Sequence, residues 1–141
     1  MKDENAQAYI HLFENLSPEA IDGMAAFVSL NVRFKDPFND LTGIHRLRAL
    51  LQKTLDEVRD PIFIVTNQAW GGDVLFLRWT FQGRVKALGD WPITGMSEIR
   101  FDDQGKICEH IDHWDAAEQF YERIPVIGPL LRLIKRRLRV S

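Results

Sequence analysis

Asp36 is a candidate for acid–base chemistry because it stands where a strand should carry an apolar residue. In the stretch VRFKDPFND, a period-2 pattern places Val32, Phe34, Asp36 and Phe38 on one side. Burial raises the pKa of a carboxyl group towards the range that a general base needs. The alternative is a turn, because an Asp before a proline commonly accepts hydrogen bonds from nearby backbone N–H groups.

His110 and Asp112 are a second candidate pair. They are two residues apart in KICEHIDHW, so a strand places both on one face, with Cβ atoms roughly 7 Å apart. The two side chains could meet there as an acid–base pair or within one hydrogen-bond network. The opposite face of the strand is more apolar and holds Ile107, Glu109, Ile111 and His113. Alternation alone would therefore bury that face and leave the pair in solvent.

Metal chemistry has little support in this pattern. A catalytic zinc ion takes three protein ligands, whereas the strand offers two, His110 and Asp112, and His113 points the other way. Asp36 would have to be the third ligand. We predict no metal site and no cofactor.

The elements that must position these residues begin with helices. Spacing and capping signals predict helices over 4–15, 17–28 and 43–58, with Ser17 as an N-cap, and a strand over 31–36. Strand-like patterns then follow at 62–70, 74–82, 91–101 and 106–114, with a looser connection at 83–90 and a short helix near 115–122. Helices followed by consecutive strands predict an α+β fold, a cone in which a curved antiparallel sheet wraps the N-terminal helices around an apolar pocket.

Composition excludes several classes of protein. The chain has 141 residues, enough for one domain, and its single cysteine, Cys108, rules out an internal disulfide. The N-terminus lacks the basic-then-apolar order of a secretory signal, and the expected location is cytoplasmic. Residues 130–139 hold five basic side chains and no acid, so the remainder carries −7 against −2 for the whole chain. An acidic body of this kind does not suit nucleic-acid binding.

The basic C-terminal segment reads as an amphipathic helix. We assign residues 1–123 to the domain and 124–141 to an extension. The helix could dock on its own body or on a dimer mate, bind an acidic partner, or touch an anionic membrane surface through residues 130–139.

Several motifs together resemble the nuclear transport factor 2-like superfamily. They are the strand ending in Asp-Pro-Phe, Gly43 opening a helix, and the late R-F-D-x-x-G-K-I hairpin. That superfamily includes ketosteroid isomerase, SnoaL-like polyketide cyclases and limonene epoxide hydrolase. The resemblance covers roughly residues 5–121 and implies a homodimer formed through the outer sheet face.

The resemblance also implies roles for individual residues. Asp36 matches the isomerase's general base, and Asp112 matches a catalytic acid of the cyclases. The isomerase's second acid aligns with Ser97, and its tyrosine reaches Tyr9 only if three extra residues intervene. Trp114 matches a pocket tryptophan, which places His110 and Asp112 on the pocket face. The hydrolase works with two acids bridged by an arginine, a part that Arg78 or Arg100 could take.

These observations lead to two hypotheses of function. In the first, the chain is a cofactor-independent isomerase, cyclase or hydrolase. Its catalytic residues are Asp36, His110 and Asp112, and its substrate-binding residues are Phe34, Phe38, Ser97, Trp114 and Tyr9. In the second, the same fold is a ligand-binding or protein-interaction module without catalysis. In either case aromatic walls with few polar groups suit a small apolar molecule bearing one or two oxygens.

Overall fold

The computed structural model describes residues 1–86 and 88–140; Ala87, within the predicted 83–90 connection, and Ser141, at the end of the predicted extension, lie outside it. The helices are α1 (Lys2–Glu14), α2 (Pro18–Asp22), α3 (Ile44–Glu57), α4 (Ala116–Gln119) and α5 (Ile127–Leu138), with 3₁₀ turns at Gly23–Ala26 and Tyr121–Arg123. The strands are β1 (Val28–Lys35), β2 (Asp40–Thr42), β3 (Val58–Gly71), β4 (Val74–Val85), β5 (Gly89–Asp90), β6 (Ile93–Phe101) and β7 (Ile107–His113).

The strands form one curved sheet in the order β2-β1-β7-β6-β4-β3, with β5 paired to β4. The α+β cone predicted from the sequence is confirmed. Its pairing differs in one respect from the predicted antiparallel sheet, because β1 and β7 run parallel. Parallel neighbours need a long crossover, and the whole chain between β1 and β7 supplies it.

The helices α1 and α3 cover the concave face of the sheet. Alternate residues of β4, Leu75, Leu77 and Trp79, point inward and are buried, whereas Phe76, Arg78 and Thr80 point outward. The sequence pattern of β4 therefore predicts its two faces correctly. The core on the inner face joins α1 and α3 to the sheet through buried apolar side chains, among them Ala6, Ile10, Leu12, Ile44, Leu47 and Leu51.

The second helix is shorter than predicted. Ser17 does cap it, since its Oγ accepts from Ala20 N at 3.1 Å. The helix gives way to a 3₁₀ turn at Gly23, and the chain becomes strand at Val28, which is fully buried. Tertiary burial of β-branched residues thus extends β1 at the expense of the helix.

Candidate functional site

A hairpin between β1 and β2 positions Asp36. Lys35 pairs with Asp40, so residues 36–39 form the tip. One carboxylate oxygen of Asp36, Oδ1, accepts from Phe38 N at 2.8 Å and from Asn39 N at 2.7 Å. The side chain of Asn39 donates to the same oxygen at 3.1 Å. The geometry is that of the capping alternative, in which the carboxylate stabilises its own turn.

A bulge in β7 positions His110 and Asp112. Glu109 pairs with Arg100 but Ile107 pairs with Phe101, so Cys108 is an extra residue. The bulge shifts the alternation by one position. Ile107 and His110 are both buried, at 0% and 3% exposed, although they are three residues apart.

A chain of hydrogen bonds joins five inward-facing side chains. The Tyr9 hydroxyl lies 2.6 Å from His110 Nδ1, and His110 Nε2 lies 2.5 Å from Asp112 Oδ1. Ser97 Oγ donates to the same carboxylate oxygen at 2.5 Å and accepts from Trp79 Nε1 at 2.8 Å. We call Tyr9, His110, Asp112, Ser97 and Trp79 the buried network.

The protonation of Tyr9 orders the network. Burial, and secondly the charge of Asp112, raises the pKa of the Tyr9 phenol well above its ordinary value. The phenol therefore keeps its proton, and because His110 Nδ1 is its hydrogen-bond partner among the described residues, we assign the hydroxyl as the donor. An imidazole that accepts at Nδ1 carries its proton on Nε2, and that proton is donated to Asp112. Every donor in the network then has an acceptor, and Asp112 Oδ1 receives two.

Aromatic side chains surround the imidazole of His110. The rings of Tyr9, Phe13 and Phe34 lie edge-on to it, with centroid distances of 5.5, 5.5 and 4.7 Å. The imidazole is thus held by packing on its faces as well as by hydrogen bonds at both nitrogens. Asp112, whose side chain is 16% exposed, is the ionisable member of the network that reaches open space.

The open space is a cavity of about 540 Å³ between the sheet and α3. Its lining is largely aromatic and aliphatic, including Phe13, Phe34, Phe63, Trp79, Phe81, Trp91, Trp114 and Phe120. Asp36 and Asp112 both line it, and with Trp114 they also border a more open depression of about 440 Å³. The two acids therefore stand at the rim, where the cavity meets solvent.

The structure separates the predicted site residues into two groups. Phe34, Asp36, Phe38, Asp112 and Trp114 line the cavity. The other three, Tyr9, Ser97 and His110, lie behind Asp112 in the buried network.

The arginine bridge that the hydrolase resemblance suggested is not formed by Arg78 or Arg100. Arg78 is exposed on the outer face of β4, and Arg100 pairs with Glu98 at 3.1 Å, also on the outer face. Within residues 1–86 and 88–140, moreover, no group of three or more His, Cys, Asp or Glu side chains could hold a metal ion.

Sequence reasoning missed several residues that shape the site. Trp79 holds Ser97 and lines the cavity; its place on the apolar side of β4 was the available signal. Trp91 and Phe120 also line the cavity with their rings in contact, and Trp91 Nε1 donates to Gln119 O at 2.7 Å. Pro92 and the irregular pattern around it hid Trp91 from a periodicity argument.

Comparison with known proteins identifies the family. The family described as SnoaL-like domain matches residues 6–110, about three quarters of the chain. The chain belongs to the SnoaL-like domain family. Its resemblance to the nuclear transport factor 2-like superfamily is thereby confirmed. No curated protein sequence matches it.

Three solved structures illustrate the fold of this SnoaL-like domain. A protein with a ketosteroid isomerase-like fold from Catenulispora acidiphila DSM 44928, in complex with trimethylamine, is 14% identical, with 82% of this chain and 88% of that chain covered and a TM-score of 0.69. An NTF2-like protein of unknown function from Exiguobacterium sp. 255-15 is 18% identical; the match covers 79% of this chain and 98% of that chain, with a TM-score of 0.69. An LEH-like epoxide hydrolase from M. tuberculosis is 15% identical; the match covers 94% of this chain and 95% of that chain, with a TM-score of 0.68.

Proposed function

We propose that this SnoaL-like domain is a cofactor-independent acid–base catalyst, acting on a small, largely apolar molecule that bears one or two oxygen atoms. Asp112 is the group that takes and returns the proton. One observation carries the proposal: a buried chain of donors from Tyr9 and Trp79 ends on a carboxylate at the wall of an aromatic cavity.

The network gives Asp112 one fixed oxygen and one reactive oxygen. Oδ1 accepts from His110 and Ser97, both at 2.5 Å, which holds the carboxylate in one orientation. Oδ2 accepts from none of the described residues and is available to a ligand. A general base must lie within hydrogen-bond reach of the proton that it abstracts, in a fixed orientation.

The reaction that suits this arrangement is proton abstraction next to a carbonyl. Asp112 Oδ2 takes the proton, the C–H bonding pair moves into the carbonyl system as an enolate, and the protonated Asp112 returns the proton to another carbon. The enolate oxygen needs a donor. Lys53 and Trp114 line the cavity and carry N–H donors, so the proposal assigns this part to them.

Asp36 has a different part in this proposal. Its Oδ1 already accepts three hydrogen bonds within residues 36–39, so it fixes the β1–β2 turn and the rim of the cavity. Its role as a general base, implied by the resemblance, stays a prediction. One assignment makes Asp112 the general base and the other makes Asp36 the general base. Substituting each acid separately distinguishes them.

The similar structures support a small-molecule site without naming the substrate. The C. acidiphila protein is in complex with trimethylamine, and the M. tuberculosis protein is an LEH-like epoxide hydrolase. The cavity volume of about 540 Å³ falls in the usual range of roughly 300–1,000 Å³ for small-molecule sites.

A binding protein without catalysis is the second candidate. It is favoured by the direction of the donors, because His110 and Ser97 donate to Asp112 rather than into the cavity. A ligand oxygen would then meet only the few polar groups of the lining, and no proton would move.

The test is thermal melting followed by turnover assays on a panel of apolar ketones, enones, lactones and epoxides. A ligand at 100 times its dissociation constant adds about 2.7 kcal/mol, or roughly 2–6 °C for a domain of this size. Each compound that shifts the melting temperature is then assayed with wild type, Asp112→Asn, Asp36→Asn and Asp73→Asn. Asp73 is a matched control, since its side chain is fully exposed.

We expect Asp112→Asn to lower turnover by about 10²–10⁴-fold, while Asp36→Asn and Asp73→Asn retain it. Loss of turnover in Asp36→Asn alone would assign the base to Asp36. Ligand binding without turnover in wild type would establish the non-catalytic alternative.

The homodimer implied by the resemblance also remains a proposal. Its support is the convex face of the sheet, where Ile62, Ile64, Phe76 and Met96 are 45%, 49%, 37% and 50% exposed. Several exposed apolar side chains on one face of a sheet are typical of an interface. Light scattering of wild type and Phe76→Glu would test it, with a monomer expected for the variant.

A further inference from the structure

The C-terminal helix α5 packs on the body by its less apolar side. Gly128 is buried against Glu122, whose carbonyl oxygen would lie 2.1 Å from an added Cβ. Lys135 pairs with Glu122 at 3.4 Å and with Glu118 at 3.8 Å, and Arg132 donates to Glu122 O at 2.9 Å. The helix is therefore attached through a glycine contact and ionic bonds.

The apolar side of α5 faces solvent. Leu130, Leu133, Ile134 and Leu138 are 58%, 42%, 48% and 80% exposed. At 100° per residue they form one stripe, which Val126 and Val140 extend at its two ends, at 86% and 93% exposed. We call these six residues the apolar stripe. A helix that docks only onto its own domain buries such a stripe, so this orientation points to a second surface.

The charge of α5 indicates what that surface carries. No acidic residue occurs between 124 and 140, and 130–139 hold five basic residues. Lys135 is engaged by carboxylates, whereas Arg136, Arg137 and Arg139 form no ion pair with any described residue. These positive groups repel a basic surface and attract an acidic one. An apolar surface rimmed by negative charge therefore fits this helix best.

Arg137 distinguishes a membrane from a protein interface. On a helical projection it falls inside the apolar stripe, between Leu130 and Leu133. A protein interface over the stripe would bury this guanidinium and would need a carboxylate opposite it. At a lipid surface, a long arginine side chain bends back to the phosphates while its neighbours enter the apolar layer.

We propose that α5 binds the surface of a membrane rich in anionic phospholipid, with the apolar stripe inserted at the boundary between headgroups and acyl chains. The helix lies along the surface: within residues 1–86 and 88–140, no helix is long and apolar enough to cross a membrane. The proposal does not depend on the activity of the cavity, because no residue of α5 lines it.

Vesicle sedimentation of the full chain tests the proposal. The probes are vesicles of phosphatidylcholine alone and of equal parts phosphatidylcholine and phosphatidylglycerol, at low and high salt. The variants are Ile134→Glu, which breaks the apolar stripe, and Arg136→Gln with Arg137→Gln, which removes charge. Leu30→Glu is the matched control, because Leu30 is a 69% exposed apolar residue on β1.

We expect wild type and Leu30→Glu to sediment with the anionic vesicles only, and less at high salt. Ile134→Glu and the arginine variant should each lose about tenfold or more in partitioning. All substituted side chains are exposed, so melting temperatures should stay close to that of wild type, which confirms folding. Binding to neither vesicle, or binding unchanged by Ile134→Glu, contradicts the proposal.

A second copy of the chain is the competing occupant of the stripe. Light scattering of the same variants decides this point. A wild-type oligomer that dissociates in Ile134→Glu but not in Leu30→Glu would show that the stripe is a protein interface, and would overturn the membrane assignment.

Discussion

His110 Nε2 lies 2.5 Å from Asp112 Oδ1, although the two residues belong to the same strand and are two positions apart. Neighbours at that spacing have Cβ atoms roughly 7 Å apart, so the contact requires both side chains to lean together on the inner face. Ser97, paired with Asp112 on the adjacent strand, reaches the same oxygen. Two side chains, one from each of two strands, thus fix the Asp112 carboxylate at the cavity.

Ser97→Ala should destabilise the fold more than an ordinary serine deletion. The substitution leaves the indole N–H of Trp79, which is 3% exposed, without an acceptor. A buried donor without a partner costs about 1–3 kcal/mol, measurable as a lower free energy of unfolding in urea. Ser29→Ala is the control, because among the described residues Ser29 Oγ accepts a single long hydrogen bond, from Asn31 N at 3.4 Å. Equal stability of the two variants would show that Ser97 is not needed by Trp79.

Tyr9→Phe should remove a dependence of stability on alkaline pH. Because burial raises the pKa of Tyr9 in the folded state, the unfolded chain releases this proton first, near its ordinary pKa of about 10. The contribution to stability is complete below about pH 10 and is lost as pH rises through the folded pKa, by up to about 1.4 kcal/mol per pH unit. Urea unfolding between about pH 9 and 11 should show a steeper decline for wild type than for Tyr9→Phe. Parallel declines would contradict the assignment.

The fold could be predicted from the sequence wherever a single hydrophobic period continued through a whole helix or strand. In β4 the alternation of Leu75, Leu77 and Trp79 with the mixed set Phe76, Arg78 and Thr80 correctly separates the two faces. In β7 the alternation predicts the wrong inner face, because the bulge at Cys108 exchanges the two faces within the strand. No residue type at that position indicates a bulge. Strand β2 was missed for a related reason: three residues, Asp40–Thr42, are too few to show a period.

The site was only partly readable, because its geometry depends on contacts between distant residues. The pattern of β1 places Asp36 at the strand's end, yet the choice between a cap and a free carboxylate depended on Asn39. The bond between Tyr9 and His110 joins residues 101 positions apart. No local spacing encodes that contact. The resemblance to a known family correctly predicted that His110 and Asp112 lie on the inner face of β7, whereas the hydrophobic periodicity favoured burial of the opposite face.

Gly95→Ala should disturb the cavity through Trp79. An added Cβ at Gly95 would lie 2.6 Å from two atoms of the Trp79 ring, so the ring must move. Overpacking of this kind costs about 1–3 kcal/mol, and displacement of Trp79 also weakens its bond to Ser97. Gly23→Ala is the matched control, because a Cβ there meets nothing within 4 Å and the backbone is already helical. We expect a lower melting temperature for Gly95→Ala, and an unchanged or slightly raised one for Gly23→Ala.

Asp36→Ala and Asp36→Asn should differ in stability if the carboxylate acts as a cap. Alanine leaves the N–H groups of Phe38 and Asn39 without their acceptor, at a cost of about 1–2 kcal/mol, as for other lost caps. The amide oxygen of asparagine can still accept both bonds, so Asp36→Asn should lose less. Urea unfolding of both variants, with Asp73→Ala as an exposed control, measures the difference. If both variants were as stable as wild type, the turn would not depend on the Asp36 side chain. Its position beside the cavity would then favour the general-base role implied by the family.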